Sequence, residues 1–307
     1  MRFSIFQDSR IGARKSNQDR VGYRYTREAL LMVLADGLGG HQSGEVAAQL
    51  ALQAIATSFQ HEARPRLADP VLFLSRAILR SHAEIVARTA NPKLADAPRT
   101  TLIACVVQDG RAWWSHIGDS RLYLVRKGRI LARTRDHTRV QQLVDAGRIR
   151  EEAVSAHPER NWLLQCLGGA LPPQIEPAAS ARLDSGDIIL LCSDGFWGPL
   201  TQRQLLAALV DKPVAQAVLE LMALAETRAG PECDNVSAVA MRWGENPTAR
   251  EDREDALRPA APPRDVPTEV HDFGATEPDF SHQQMSDEDI EKAIAEIKAA
   301  LRKHNPG

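Results

Sequence analysis

Through residue 244 the chain alternates short apolar runs with polar breaks, and the runs are of two kinds. RFSIFQD, ALLMVLAD, TLIACVVQ, RAWWSHIG, RLYLVR, DIILLCSD and NVSAVAMRW are rich in β-branched and aliphatic residues and are bounded by turn formers, which predicts strands. GEVAAQLALQAIATSF, PVLFLSRAILRSHAEIVART, TQRQLLAALV and PVAQAVLELMALAETR carry Ala and Leu with apolar positions near i, i+3 and i+4, which predicts helices, the first two long. The strands between 101 and 125 are separated only by QDG and GDS, so hairpins and a largely antiparallel sheet are expected. Helices segregated outside such hairpins imply an α+β fold, sheet on sheet with helices on the outer faces. Within RAWWSHIG, Trp113 and Trp114 point to opposite faces, one into the core and one onto outer packing, and His116 alternates with Trp114 as a packed histidine.

The pattern changes near residue 245. Residues 1–244 have a net charge of +5 and 245–307 a net charge of -7, and six of the eighteen prolines fall between Pro247 and Pro278. That stretch has too little apolar surface to offset the ordering of the chain, so 245–285 reads as a flexible, Pro-rich acidic linker. Residues 286–304 read as one more helix: Ser286 as N-cap, acidic residues in the first turn, Arg302 and Lys303 in the last, and a narrow stripe of Ile290, Ile294, Ile297 and Leu301. It is first of all a solvated tail, with docking on a partner or on the basic core as the alternatives.

With a pI near 6.5 and no basic interleaving around the tryptophans, the chain lacks the field expected of a nucleic-acid or anionic-lipid binder. The four cysteines are far apart and no run approaches a membrane span, so a cytoplasmic, reducing location is the expectation.

Candidate chemistry gathers on aspartates beside strands. LLMVLADGLGGH delivers Asp36 after an apolar strand and IILLCSDGFWG repeats the plan at Asp194. Taken singly, each Asp-Gly is a turn signal. Asp119 in HIGDSRLYLV and Asp234 in ECDNVSAVAM resist that reading, and four carboxylates converging at one sheet edge would repel without a cation. Hard oxygen ligands suit magnesium or manganese. ARKSNQDR adds Arg14 and Asp19 in a polar loop, and an arginine fork suits a phosphate dianion. Paired ions could activate a water for in-line attack at phosphorus.

These residues resemble the type 2C metal-dependent serine/threonine protein phosphatases in their bacterial form. The resemblance spans about residues 1–243 and rests on seven ordered pieces: Arg14 with Asn17-Gln18-Asp19, Asp36-Gly37-Leu38-Gly39-Gly40-His41, Thr100-Thr101, Gly118-Asp119-Ser120-Arg121, Asp136-His137-Thr138, Ser193-Asp194-Gly195 and Asp234-Asn235. It implies a four-layer α-β-β-α sandwich over 1–244, two antiparallel sheets flanked by helices, with two Mn2+ or Mg2+ ions in a channel at one edge. By the same carry-over, Asp36 bridges both ions, the Gly37 carbonyl binds one, Asp194 and Asp234 bind the other, and Asp119 helps a weaker third. Asp19 orders metal-bound water, Arg14 binds substrate phosphate, and residues from about 139 to 166 form a flap.

The chain departs from the family at Gln18, where an acidic residue is common, at Leu38, where animal members carry a histidine proposed as general acid, and at Arg99, where Gly is common. A pseudophosphatase should have lost some of Asp36, Asp194 or Asp234, and a phosphatase of a sigma-factor switch usually lacks Arg14. A monomeric phosphoprotein phosphatase opposing a Ser/Thr kinase is the preferred expectation.

Overall fold

The structure, a computed structural model, describes residues 1–39, 43–89 and 97–244. The expected linker 245–285 and helix 286–304 lie outside the described residues. The strands, in chain order, are β1 (Phe3–Arg10), β2 (Asp19–Tyr25), β3 (Ala29–Leu38), β4 (Arg99–Thr100), β5 (Leu102–Gln108), β6 (Arg111–Ile117), β7 (Arg121–Arg126), β8 (Arg129–Arg133), β9 (Ala179–Arg182), β10 (Ile188–Cys192) and β11 (Val236–Trp243). The α-helices are α1 (Ser43–Glu62), α2 (Pro70–Ala87), α3 (Arg139–Asp145), α4 (Asp194–Trp197), α5 (Gln202–Asp211) and α6 (Val214–Ala229).

One sheet has the order β1-β11-β10-β7-β8 and the other β2-β3-β5-β6-β9, with β4 paired to β3, and every pairing is antiparallel. Alternation along the strands builds three apolar layers. Leu30, Met32 and Leu34 of β3 meet Ile189 and Leu191 of β10 between the sheets, where Trp114 is also packed. Leu31 and Val33 face the other way, onto Ile55 and Phe59 of α1 and Phe73 and Ile78 of α2, with Trp113 at the margin. Ile188 and Leu190 face Leu205 and Leu209 of α5 and Leu221 and Met222 of α6. The predicted α-β-β-α layering follows, and so does the continuous apolar character of β3 and β10, which are covered on both faces.

Local chemistry sets the helix starts. Asp69 caps α2, its Oδ1 accepting from Val71 N at 2.9 Å and Leu72 N at 3.0 Å, with Pro70 where no amide partner is needed. Thr201 and Gln204 form a capping box at α5. At α1 the start is set by packing: a Cβ on Gly37 would lie 2.3 Å from the Gly44 carbonyl oxygen, and one on Gly44 would lie 2.7 Å from Gln18 Oε1. Glycine at position 37 therefore lets α1 press on β3.

Three expectations need correction. The GDS break is not a hairpin: β6 lies in one sheet and β7 in the other, so the chain crosses between sheets at Gly118 and Asp119. Gly118 has φ +106 and no room for a Cβ, which would stand 2.6 Å from Thr101 Cγ2, so only glycine fits this crossover. Asp19 is not in a loop but opens β2, a strand the apolar pattern misses because DRVGYRY is only half-buried. Finally, neither Asp-Gly is a turn. β3 runs on through Asp36 and Gly37 to Leu38, and Asp194 begins α4.

Among the described residues, all pairing partners in both sheets lie within residues 3–243, and Gly244 N donates to Arg2 O at 2.8 Å beside the last strand. A chain ending at residue 244 is expected to fold, with a cooperative melt within a few degrees of the full chain by circular dichroism. A broad or absent transition would assign part of the core to the tail.

Candidate active site

Sheet pairing brings the aspartates together. The β2–β3 register sets Asp19 directly opposite Asp36, a like-charge pair that costs stability unless something else compensates it. Asp36 is fixed through its backbone: its N–H donates to Thr101 Oγ1 at 3.0 Å, and its carbonyl accepts from Thr101 N at 2.8 Å and from Thr100 Oγ1 at 2.9 Å. Thr101 Oγ1 is in turn 2.8 Å from Ser120 Oγ, so the crossover segment carrying Asp119 is tied to the clamp on Asp36.

From the other sheet, Asp194 follows β10 and Asp234 precedes β11, its neighbour in the ladder. Asn235 organises the loop that faces them. Its Nδ2 donates to Ile11 O at 2.9 Å and Ser16 O at 3.0 Å, and its Oδ1 accepts from Gln18 N at 2.8 Å. That loop presents Arg14, which forks onto Asp234, Nε to Oδ1 at 2.8 Å and Nη2 to Oδ2 at 2.6 Å. The predicted phosphate-binding arginine is thus half-exposed and engaged with a predicted metal ligand.

Arg14, Asp119, Asp194 and Asp234 line a cleft of about 310 Å³. Its far wall is the excursion that leaves at Thr138 and returns at Leu163, where the two residues form a β-bridge, and Val154, Arg160 and Asn161 reach the cleft. This excursion occupies most of the segment expected as a flap.

Burial is the first cause of the electrostatic strain. Asp19 is pushed up to about 7 by desolvation, with Asp194 and Asp234 adding repulsion against partial relief from Ser237 and Ser193. Asp36 is held well above the carboxylate range by desolvation and then by Asp19, Asp194, Asp119 and Asp234. Asp36 and Asp194 keep some solvent access, yet desolvation is the leading cause for both; Asp194 is also raised, with Asp234 the largest charge acting on it. Asp119 is buried and raised by desolvation, then by Asp194 and Asp136.

The donor set fits a divalent cation. Both carboxylate oxygens of Asp19 are buried with no hydrogen bond, the Ser237 hydroxyl being engaged with Ser9 at 2.7 Å. Such an orphaned carboxylate among others calls for positive charge. The donors are oxygens, which suits hard ions. Among the described residues no three acidic, His or Cys side chains are already drawn into a cage, as expected where carboxylates repel one another and Arg14 covers Asp234.

Arg121, Asp136 and Asn235 stand in the ordered motifs without roles legible from the sequence, and Trp197 carries no motif signal at all. Arg121 forks onto the buried Asp136 at 2.9 and 2.7 Å and lies 3.3 Å over the Trp197 ring, whose Nε1 donates to Asp119 O at 3.0 Å. His137 fixes a loop: Gly118 N donates to its Nδ1 at 3.2 Å, and its ring stacks on the packed His116 at 4.5 Å. The signal available was the order GDSR…DHT, which sets the arginine and its aspartate fifteen residues apart across β7 and β8.

The model of the family "Protein phosphatase 2C" matches residues 6–230. The serine/threonine protein phosphatase PstP of Mycobacterium tuberculosis is 38% identical over 227 residues, which are 74% of this chain and 42% of that protein, so the chain spans about two fifths of this relative's length. A putative 2C-type phosphatase of Streptococcus pyogenes is 30% identical, with 77% of this chain and 95% of the relative covered. Among solved structures, the PstP catalytic domain of a serine threonine protein phosphatase in complex with two manganese ions superposes with a TM-score of 0.65 at 34% identity, covering 78% of this chain and 97% of that one. The Streptococcus agalactiae serine/threonine phosphatase gives 0.70 at 27% identity, covering 78% and 99%. The sandwich, the ordered motifs and these likenesses agree, and the chain belongs to the protein phosphatase 2C family.

Proposed function

We propose that the chain is a metal-dependent protein phosphatase that hydrolyses phosphoserine and phosphothreonine on proteins. The observation that carries this reading is the convergence of Asp19, Asp36, Asp119, Asp194 and Asp234, mutually repelling and short of positive charge, beside an arginine at the mouth of a cleft. In this reading Asp36, the Gly37 carbonyl, Asp194 and Asp234 would hold two Mn2+ or Mg2+ ions, and Asp119 would serve a weaker third. The PstP domain in complex with two manganese ions, a structural likeness of this chain, supports a pair of such ions here. Bound ions supply Lewis acidity and an acidified water for in-line attack at phosphorus.

The chain's own residues do the rest. Asp19, whose oxygens have no other hydrogen-bond partner, accepts from the water that attacks and keeps it oriented. Arg14 offers its fork to the phosphoryl oxygens, and it is free to do so once the charge of Asp234 is balanced by something other than its own guanidinium. The excursion from 139 to 163 bounds the cleft and sets which phosphoproteins reach it. Residues 1–244 form the catalytic unit, acting as a monomer in the cytoplasm against a Ser/Thr kinase. No helix among the described residues is long and apolar enough to cross a membrane.

Phosphate release from a phosphothreonine peptide is expected only with added Mn2+ or Mg2+, and Asp36→Asn, Asp194→Asn or Asp234→Asn should each lower kcat/KM by at least about a hundredfold, roughly 3 kcal/mol of transition-state stabilisation. Full activity in excess chelator ends the proposal.

Arg14→Ala is expected to raise KM for the peptide more than it lowers kcat, since the fork contacts phosphate in ground and transition states alike. An unchanged KM removes Arg14 from the substrate site.

The raised carboxylates also fix a pH dependence. Because their folded pKa values exceed the unfolded value of about 4, the folded metal-free chain holds protons that the unfolded chain releases. Their contribution is therefore present below pH 4 and is lost as pH rises through about 7, the value of Asp19. The melting temperature in chelator should fall between pH 5 and 8, and saturating Mn2+ should abolish the fall. A chelated melting temperature that rises over this interval contradicts the picture.

A further inference from the structure

Asp119 differs from the other acidic residues of the site in how it is held. It belongs to neither sheet: it sits where the chain crosses from β6 to β7, and no ladder hydrogen bond fixes it. Its carbonyl accepts from the Trp197 indole N–H at 3.0 Å. The residue before it is gripped twice by His137, whose Nδ1 accepts from Gly118 N at 3.2 Å and whose own N–H donates to Gly118 O at 2.9 Å.

Both grips are themselves braced. Trp197 lies under the Arg121 guanidinium at 3.3 Å, and Arg121 is forked onto the buried Asp136. The His137 ring stacks on His116, whose Nε2 bonds the Arg135 carbonyl at 2.8 Å. Trp197 also ends the single helical turn that Asp194 begins, so α4 connects the carboxylate at one side of the cleft to the backbone of the other. Trp197 and His137 both act here through another residue: the indole N–H is engaged with the Asp119 carbonyl and the imidazole Nδ1 with Gly118 N.

We infer that Trp197 and His137 are positioning residues for Asp119, clamping its backbone from two sides so that its carboxylate completes an outer cation site next to the pair held by Asp36, Asp194 and Asp234. The inference rests on the metal-phosphatase reading above. A carboxylate carried on a crossover is otherwise free to swing away from its neighbours' charge, and the two clamps oppose that swing.

The experiment is a Mn2+ titration of the full chain by calorimetry, with Asp119→Asn defining the class of sites that depends on Asp119. Trp197→Phe keeps a ring under Arg121 but loses the N–H, and His137→Phe keeps the stack on His116 but loses the acceptor. Each is expected to weaken the Asp119-dependent class about fivefold to tenfold, the scale of one hydrogen bond, and to leave the remaining class within twofold. Metal-free melts within a few degrees of the parent establish that the variants are folded, and either variant alone suffices. Folded variants with the parent's Asp119-dependent affinity overturn the inference, as does an Asp119→Asn titration identical to the parent's. A parent that binds Mn2+ in both classes but releases no phosphate from the peptide refutes the phosphatase reading while the titration still judges the clamp.

Discussion

Mutual repulsion among carboxylates is the constraint that organises one end of this molecule. Asp19 and Asp36 face each other across one sheet, Asp194 and Asp234 leave adjacent strands of the other, and Asp119 lies on the crossover between them. Left to side-chain freedom, such groups would turn away from each other. The chain prevents this by fixing backbones: the Thr100-Thr101 pair holds Asp36, Asn235 ties the loop that carries Arg14, and the glycines at 37 and 44 let α1 close on β3. Stability given up at this end is supplied by the apolar layers elsewhere, which are continuous on both sides of each sheet.

The departures from the family acquire a physical sense in this setting. Gln18 serves through its backbone, its N–H held by Asn235 and its carbonyl accepting from Gly37 N at 3.2 Å, so the role of the position in shaping the site does not need an acidic side chain. A neutral residue there also adds no further charge to a crowded set. Leu38 is the last residue of β3 and has no proton to give, so this position supplies no general acid.

Much of the architecture was legible because burial on both sheet faces writes long apolar runs into the sequence, as in β3, β5 and β10. Half-buried strands left a weaker mark. β2, β8 and β9 carry Arg, Gly and Ser at positions facing solvent or the sheet edge, and pattern reading passed over them. The error over GDS has a different source: spacing reveals that two strands are close in sequence but not whether they share a sheet. The site residues were legible as ordered motifs, whereas the engagement of Arg14 with Asp234 and the bracing of Asp119 by Trp197 depend on contacts between segments 78 to 220 residues apart, which no local spacing encodes.

The pairing of β1 with β11 has a consequence for how the protein comes into being. Among the described residues the first strand pairs only with the last, with Phe3 set against Trp243, and Asp234 enters just before that final strand. A chain still emerging from the ribosome, with residues beyond 230 not yet made, lacks Asp234 and leaves β1 with no ladder partner. Such long-range closure makes folding slow relative to local hairpin formation. It also means that a nascent chain lacks the last aspartate of the acidic centre until residue 234 is made, and the ladder that places it until residue 243.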